Sequence, residues 1–379
     1  LVGFQLTGEQ EQIRRLARSF AEREIIPVAA EYDEKEQIPW EVIQKAHAAG
    51  LMNIHVPEQY GGPGLDYVTG AVIAEELAYG CLGVAGSFGA NNLALTPILL
   101  AGSEEQKERF LPPFCRKPRL AAFCLTEPNA GSDASRVATA AVREGDEYVI
   151  NGAKCFITNG GIADLYTVFC TVDRQKGLKG ITAVVVPGDT PGLLAGKKEK
   201  KMGDRASHVG EVIFDNVRVP VANRLANEGD GFRIAMRTLD VTRPGVGASA
   251  VGVARRAFEE ALRYAQQREQ FGRPIYAHQA LQFMLVDMAI KIEAARGLVW
   301  KACWMLDQGQ RATKEGAMAK CFAGDTAMQV AVDAVQVMGG YGYMREYPVE
   351  KLVRDAKILQ IYEGTNQIQR LVIARELVR

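Results

Sequence analysis

Residues 146–161, DEYVINGAKCFITNGG, set two apolar-rich runs on either side of Asn151-Gly152. Short β-branched and aromatic runs of this kind read as strands, and Asn-Gly is the dipeptide favoured in a type I′ hairpin turn. A hairpin turning at Asn151-Gly152 is therefore expected. GITAVVVPG (180–188) and GEVIFDNVRVP (210–220) add further β-branched strands ending in turn residues, so residues 116–227 read as a small antiparallel sheet domain. KKEKK (197–201) fits a solvated loop or edge strand, where charge discourages pairing.

On both sides of this zone the period is helical. Residues 1–115 contain TGEQ (7–10) and SEEQ (103–106), two capping boxes that each open an amphipathic run, with IIPV and QYGGPGLD as breaks. In residues 228–379, Leu281, Met284, Leu285, Met288, Ile292, Ala295, Val299 and Ala302 recur three or four apart, as expected of a long bundle helix. Arg255 with Glu259 and Arg256 with Glu260 read as i,i+4 pairs worth roughly a few tenths of a kcal/mol each, with no bearing on function. The fold class is thus α+β, with a helical domain, a sheet domain and a second helical domain. A chain of 379 residues is long enough for two or three cores, since single cores stop growing at roughly 250–300 residues.

Lys plus Arg and Asp plus Glu both number 45, and the pI is about 7.1, so no net field draws nucleic acid or an anionic membrane. The seven cysteines are scattered without a Cys-x-x-Cys pair, which fits buried thiols in a reducing compartment and disfavours a zinc site or disulfide framework. The start, LVGFQLTGEQ, lacks a signal-peptide pattern, and no apolar run long enough for a membrane span is read. A soluble intracellular protein is expected, in a bacterial cytoplasm or, with a targeting segment removed, a mitochondrial matrix. GVGASA (245–250) imitates a dinucleotide fingerprint but sits in a helical zone. Four scattered histidines and the lack of a Gly-x-Ser-x-Gly elbow take most weight from hydrolase and metalloenzyme readings.

Four stretches remain. In CLTEPNAGSD (124–133), the N–H groups of Ala130, Gly131 and Ser132 suit an anion and the hydroxyls of Thr126 and Ser132 suit a heterocycle or phosphate, although an interdomain loop explains the composition equally well. FITNGG (156–161) offers an aromatic and a hydroxyl to a flat ring, or simply a core aromatic. QVMGGYGYMREYPVEKLVRD (336–355) has a glycine hinge leading into a helix. IYEGTNQIQR (361–370) places Glu363 after two large apolar residues with no cation beside it, either as an exposed turn acid or as a base.

In this order, CLTEPNAGSD, QVMGGYGYMREYPVEKLVRD and IYEGTNQIQRLVIARE resemble the signature segments of the acyl-CoA dehydrogenase family, closest to its medium-chain members by REIIPVAAEYD, EELAYGC and YPVEKLVRDAKI. EYVINGAKCFITNGG and QQREQFGRPI extend the resemblance over nearly the whole chain. It implies an N-terminal α-domain, a middle β-domain and a C-terminal four-helix bundle, in a homotetramer whose FAD site needs a second subunit. By resemblance, Thr126 and Thr158 bond the flavin, Phe156 packs on it, and Ser132 meets the pyrophosphate or the thioester ligand. Arg268 and Phe271 match contacts to the ADP half across the subunit boundary, with Gln336 and Gly340 nearby, and Thr365 and Gln367 match further FAD contacts. Asp240 and Arg243 match contacts to the pantetheine arm of CoA.

The same resemblance makes Glu363 the base that removes the proton alpha to the thioester carbonyl while hydride leaves the beta carbon for flavin N5. Its N–H, freed to approach by Gly364, would bond the thioester oxygen. Some relatives carry the base at the position matching Thr242, which threonine cannot serve. In AGSFGANNLAL (85–95), Gly89 stands at the floor of the acyl pocket where medium-chain members carry glutamate, so a longer, branched or cyclic acyl group is expected to fit. The implied activity is oxidation of acyl-CoA to trans-2-enoyl-CoA, as in fatty-acid β-oxidation, with electron-transferring flavoprotein as acceptor. Alternatives are an oxidase-type flavoenzyme that reacts with oxygen and a non-catalytic acyl-CoA-binding or assembly protein.

Overall fold

Both capping boxes form. Thr7 accepts the Gln10 N–H while the Gln10 side chain returns to Thr7, and Ser103 and Gln106 do the same. The structure, a computed structural model, describes residues 5–378; residues 1–4, the head of the stretch read for a signal peptide, and residue 379 lie outside the described residues. The N-terminal helices are α1 (Gly8–Phe20), α2 (Ala29–Lys35), α3 (Trp40–Ala48), α4 (Tyr67–Gly80), α5 (Leu82–Ala101), α6 (Glu104–Phe110) and α7 (Pro112–Arg116). The expectation of no membrane-length apolar run is corrected by α5, which is long and apolar enough to cross a bilayer, though half of it is buried in the protein. Its polar side chains bond within the core: Ser87 donates to the Gly83 and Ala206 carbonyls, and Asn91 joins Asn53, Arg119 and Ala121.

Eight strands follow: β1 (Ala121–Cys124), β2 (Ala140–Glu144), β3 (Glu147–Thr158), β4 (Leu165–Thr171), β5 (Ile181–Pro187), β6 (Leu193–Lys198), β7 (Val209–Pro220) and β8 (Arg224–Leu225). They form one sheet in the order β6-β7-β3-β2-β4-β5-β8 with β1 added on β4. Pairing is antiparallel except β1 on β4 and a single β2–β4 bridge. Lys197 and Lys198 lie on the edge strand β6, where charge opposes further pairing.

The expected hairpin at Asn151-Gly152 is not there. Strand β3 runs straight through it, and the two-residue turn is at Gly145-Asp146, where Glu144 faces Glu147. Asn-Gly instead makes a bulge against β7: the register shifts between Ile150 and Gly152, Gly152 has φ 151°, and the Asn151 side chain accepts the Asn216 N–H at 2.8 Å. A Cβ on Gly152 would stand 2.6 Å from Thr139 Oγ1, so the glycine is required by the close approach of the segment leading into β2.

The C-terminal domain consists of α8 (Gly231–Gln267), a small hairpin of β9 (Glu269–Gln270) and β10 (Arg273–Pro274), then α9 (Gln279–Asp307), α10 (Thr313–Met338), α11 (Val349–Ile358) and α12 (Asn366–Leu377). Its fourth layer is split, α11 and α12 being joined by the turn that carries Glu363. GVGASA lies inside α8. Buried alanines on α8 (Ala250, Ala254, Ala257, Ala261) and α10 (Ala319, Ala323, Ala327, Ala331) repeat at helical spacing, and side chains this small let the two backbones come close. Arg255 pairs with Glu259 at 3.7 Å and also bonds Glu75 at 2.7 Å and Glu76 on α4, tying the two helical domains together, and Arg296 also reaches Glu75.

Candidate active site

Helix α11 ends at Ile358, and the chain turns so that the Asn366 N–H reaches the Gln360 carbonyl at 2.9 Å. Thr365 caps α12 by accepting the Ile368 N–H. Within the turn Glu363 and Gly364 have φ 51° and 93°. Left-handed backbone suits glycine but costs a side-chain-bearing residue about 1–2 kcal/mol, so Glu363 is held there by its surroundings.

The Glu363 carboxylate accepts the Thr242 hydroxyl at 2.6 Å. The side chain is desolvated yet retains some accessible surface. Burial raises its pKa above the ordinary carboxylate value, and the Thr242 hydrogen bond, Arg243 and Lys320 pull it back in part. The local sequence shows no cation near Glu363, and Arg370 indeed pairs elsewhere, with Asp325. The two cations instead come from α8 and α10. Arg243 is 3% exposed and bonds Asp240, whose other oxygen accepts the Thr313 hydroxyl at 2.6 Å. Arg243 Nε has no protein partner. Asp240 and Arg243, matched to the CoA arm, therefore bond each other beside Glu363.

In the middle domain, Glu127 and Ala130 exchange backbone hydrogen bonds, which takes the Ala130 N–H out of the expected anion-binding run and leaves Gly131 and Ser132 exposed. Beneath this loop Glu127 accepts Lys154 Nζ at 2.7 Å and the N–H groups of Ala138 and Thr139. Burial opposes ionisation of Glu127, but Lys154 and the hydrogen bonds hold its pKa below the ordinary value. Lys154, fully buried, also donates to the Leu125 and Phe169 carbonyls. The Cys155 N–H bonds the Thr126 carbonyl, so Thr126 lies beside Phe156. A second bulge between Lys154 and Ile157 turns Phe156 outward, with φ 56° and 67% exposure, while Thr158 ends the strand half-buried. Phe156 is thus not a core aromatic.

Arg268, Phe271, Gln336 and Gly340 meet around one open hollow of about 610 Å³. Both turn residues of the β9–β10 hairpin, Phe271 and Gly272, have positive φ, so the type I′ geometry expected at Asn151-Gly152 occurs here. It thrusts Phe271 out, 94% exposed. The Arg268 guanidinium lies 5.5 Å from the Tyr341 ring centre. A Cβ at Gly340 would meet nothing within 4 Å, which leaves the backbone approachable. Gln367 is exposed on α12. On α5, Gly83 and Gly86 pack on the loop holding Asp204, Ala206 and Ser207; one turn further, a Cβ at Gly89 would meet open space. Sequence reading missed Lys320, Gln369, Glu127 and Lys154: Lys320 meets Gly364 across 44 positions and Glu127 meets Lys154 across 27, a buried lysine has no local signature, and Gln369, only five and six positions from its partners, reads as an ordinary helix residue.

Models for the N-terminal, middle and C-terminal domains of acyl-CoA dehydrogenase match residues 7–118, 122–217 and 229–378. An acyl-CoA dehydrogenase of Bacillus subtilis (strain 168) is 48% identical, covering 98% of this chain and 99% of the relative. A short-chain-specific acyl-CoA dehydrogenase of Clostridium acetobutylicum is 46% identical over 99% of this chain and 100% of its own length. The structure of butyryl-CoA dehydrogenase from Megasphaera elsdenii superposes with a TM-score of 0.98 at 45% identity, covering 100% of both chains. With its three domains matched in order and full-length relatives at this identity, the chain belongs to the acyl-CoA dehydrogenase family.

Proposed function

We propose that this enzyme binds FAD and acyl-CoA and oxidises the thioester to trans-2-enoyl-CoA, with Glu363 as base. The observation that carries this reading is the desolvated, Thr242-bonded Glu363 carboxylate on a left-handed turn beside Gly364. A solvated glutamate is too weak a base for an alpha proton; desolvation raises its pKa and strengthens it, while the Thr242 hydrogen bond and the charges of Arg243 and Lys320 offset part of that rise. Gly364 leaves room for Gln369 against the turn, and the left-handed backbone that results suits donation by the Glu363 N–H to the thioester oxygen, where one donor is worth about 3 kcal/mol by analogy with oxyanion holes.

The residues fit FAD. Phe156 and Phe271 offer exposed rings, Thr126 and Thr158 stand beside Phe156, and Arg268, Gln336 and Gly340 border a hollow with approachable backbone. Thr365 and Gln367 sit at the start of α12, and exposed Ser132 suits a phosphate or the thioester ligand. Bound FAD supplies the acceptor for hydride from the beta carbon. Phe271 is almost wholly exposed in one chain, which supports a site completed by a second copy in a homotetramer. Electron-transferring flavoprotein is the proposed acceptor. The seven free cysteines, six of them buried, suit a reducing interior such as a bacterial cytoplasm.

Open space at Gly89 supports an acyl range wider than that of medium-chain members. Turnover of butanoyl-, octanoyl-, palmitoyl- and branched thioesters tests this, and a sharp octanoyl optimum would count against it. The reaction itself is tested by anaerobic mixing of the flavoprotein with these thioesters. The parent should bleach, and Glu363→Gln should bleach at least about a thousandfold more slowly. A variant that bleaches like the parent would remove Glu363 as base.

A further inference from the structure

The Glu363-Gly364 segment is gripped from outside its own turn. The Gly364 carbonyl accepts Lys320 Nζ at 2.8 Å and Gln369 Nε2 at 2.9 Å, and the Glu363 carbonyl accepts Gln369 Nε2 at 3.2 Å. Lys320 comes from α10, Gln369 from α12, and both are 0% exposed. We infer that Lys320 and Gln369 are positioning residues of the dehydrogenation, holding the strained Glu363-Gly364 backbone so that the carboxylate and the Glu363 N–H aim at the substrate together.

Three observations support this. The φ of 51° at Glu363 needs outside restraint, and Gln369 bonds the carbonyls of both left-handed residues while Lys320 bonds that of Gly364. Gln369 Oε1 has no protein partner, so the amide is oriented by its donor end against the two carbonyls. Burying an ammonium is expensive, and an apolar side chain would fill this place at lower cost if packing were its purpose. The Lys320 ammonium also donates to Asn366 Oδ1 at 3.0 Å. Burial pushes its pKa down to about 8; Glu363, Cys321 and Asp325 oppose this, and Arg243 adds to it. Lys320 therefore has a second effect, holding down the pKa of Glu363 by its charge.

The inference rests on Glu363 being the base, so the test carries Glu363→Gln beside Lys320→Met and Gln369→Met. Anaerobic bleaching of the intact flavoprotein by butanoyl-CoA is followed against substrate concentration and pH. Lys320→Met should bleach roughly a hundredfold more slowly, with half-saturation changed less than about threefold, as expected for lost transition-state alignment. Its acid limb should move up by about one pH unit, because an opposite charge near the carboxylate is gone. Gln369→Met should slow bleaching about tenfold and leave the limb in place, since the amide is neutral. A rate and limb like the parent's in Lys320→Met would overturn the inference. Should Lys320→Met fail to hold flavin, Gln369→Met decides, and a parent-like rate there is equally fatal. Bleaching that persists in Glu363→Gln would instead sink the base assignment and this inference with it.

Discussion

Thr242 shows how a residue dismissed for one role takes another. Threonine cannot act as a base, yet its hydroxyl lies 2.6 Å from Glu363 Oε2. A hydrogen bond to the ionised carboxylate favours that form, and such bonds to charged groups are worth about 1.5–3 kcal/mol. Thr242→Val keeps the shape and removes the donor, so the Glu363 pKa should rise and the acid limb of bleaching should move up by about one pH unit. A limb that stays put in Thr242→Val would show that the hydroxyl does not serve the ionised base. Glu363 belongs with Phe156 and Phe271 as proposed site residues with left-handed backbone, at φ 51°, 56° and 54°. No side-chain propensity announces such a conformation, so the sequence could show the residue types but not their outward or strained setting. Only the glycines after Phe271 and Glu363 hint at it.

At the scale of elements, period and caps were legible and the use of Asn-Gly was not. A dipeptide that tolerates positive φ serves a turn or a bulge, and the choice depends on Thr139 and Asn216, which arrive from other parts of the sheet. The CLTEPNAGSD loop was legible as a candidate site, but its support was hidden: Glu127 and Lys154 meet across 27 positions in a dry place under β1 and β3. Breaking one half of a buried pair costs about 3–5 kcal/mol because the remaining charge loses its partner. Glu127→Gln should therefore lower the unfolding free energy by roughly that amount, leaving the Lys154 ammonium buried. The double change with Lys154→Met should recover more than half of the loss. Urea unfolding followed by flavin release measures both, and a double variant no more stable than Glu127→Gln would show that the pair acts by shape and not by charge.

Across the whole molecule, the family and its three-domain order were legible because long motifs survive intact. The seam that joins the domains beneath Glu363 was not, since its members are charges that look solvated in sequence. Asp33 of the N-terminal domain bonds Arg354 on α11 at 2.8 Å. Lys351 reaches Cys81 Sγ and pairs with Asp355, and Asp355 accepts the Asp204 N–H at 2.6 Å from the middle domain. Burial raises the pKa of Asp204 to about 6, with Asp355 adding to the rise and Lys201 and Lys351 opposing it. A carboxyl with a raised folded-state pKa binds its proton more tightly when folded than unfolded. Its stabilising contribution is present below the unfolded value and is lost as pH climbs through about 6. The loss from this one group is about 2–3 kcal/mol. Asp204→Asn keeps the N–H and carbonyl of the seam and removes the titration. Unfolding free energies measured across this pH range should therefore diverge, with the variant matching or trailing the parent in acid and exceeding it near neutrality. Parallel curves would place the Asp204 carboxylate in an ion pair with Lys201 and Lys351 that compensates fully for burial, and the seam would then be no more stable in acid than at neutral pH on its account.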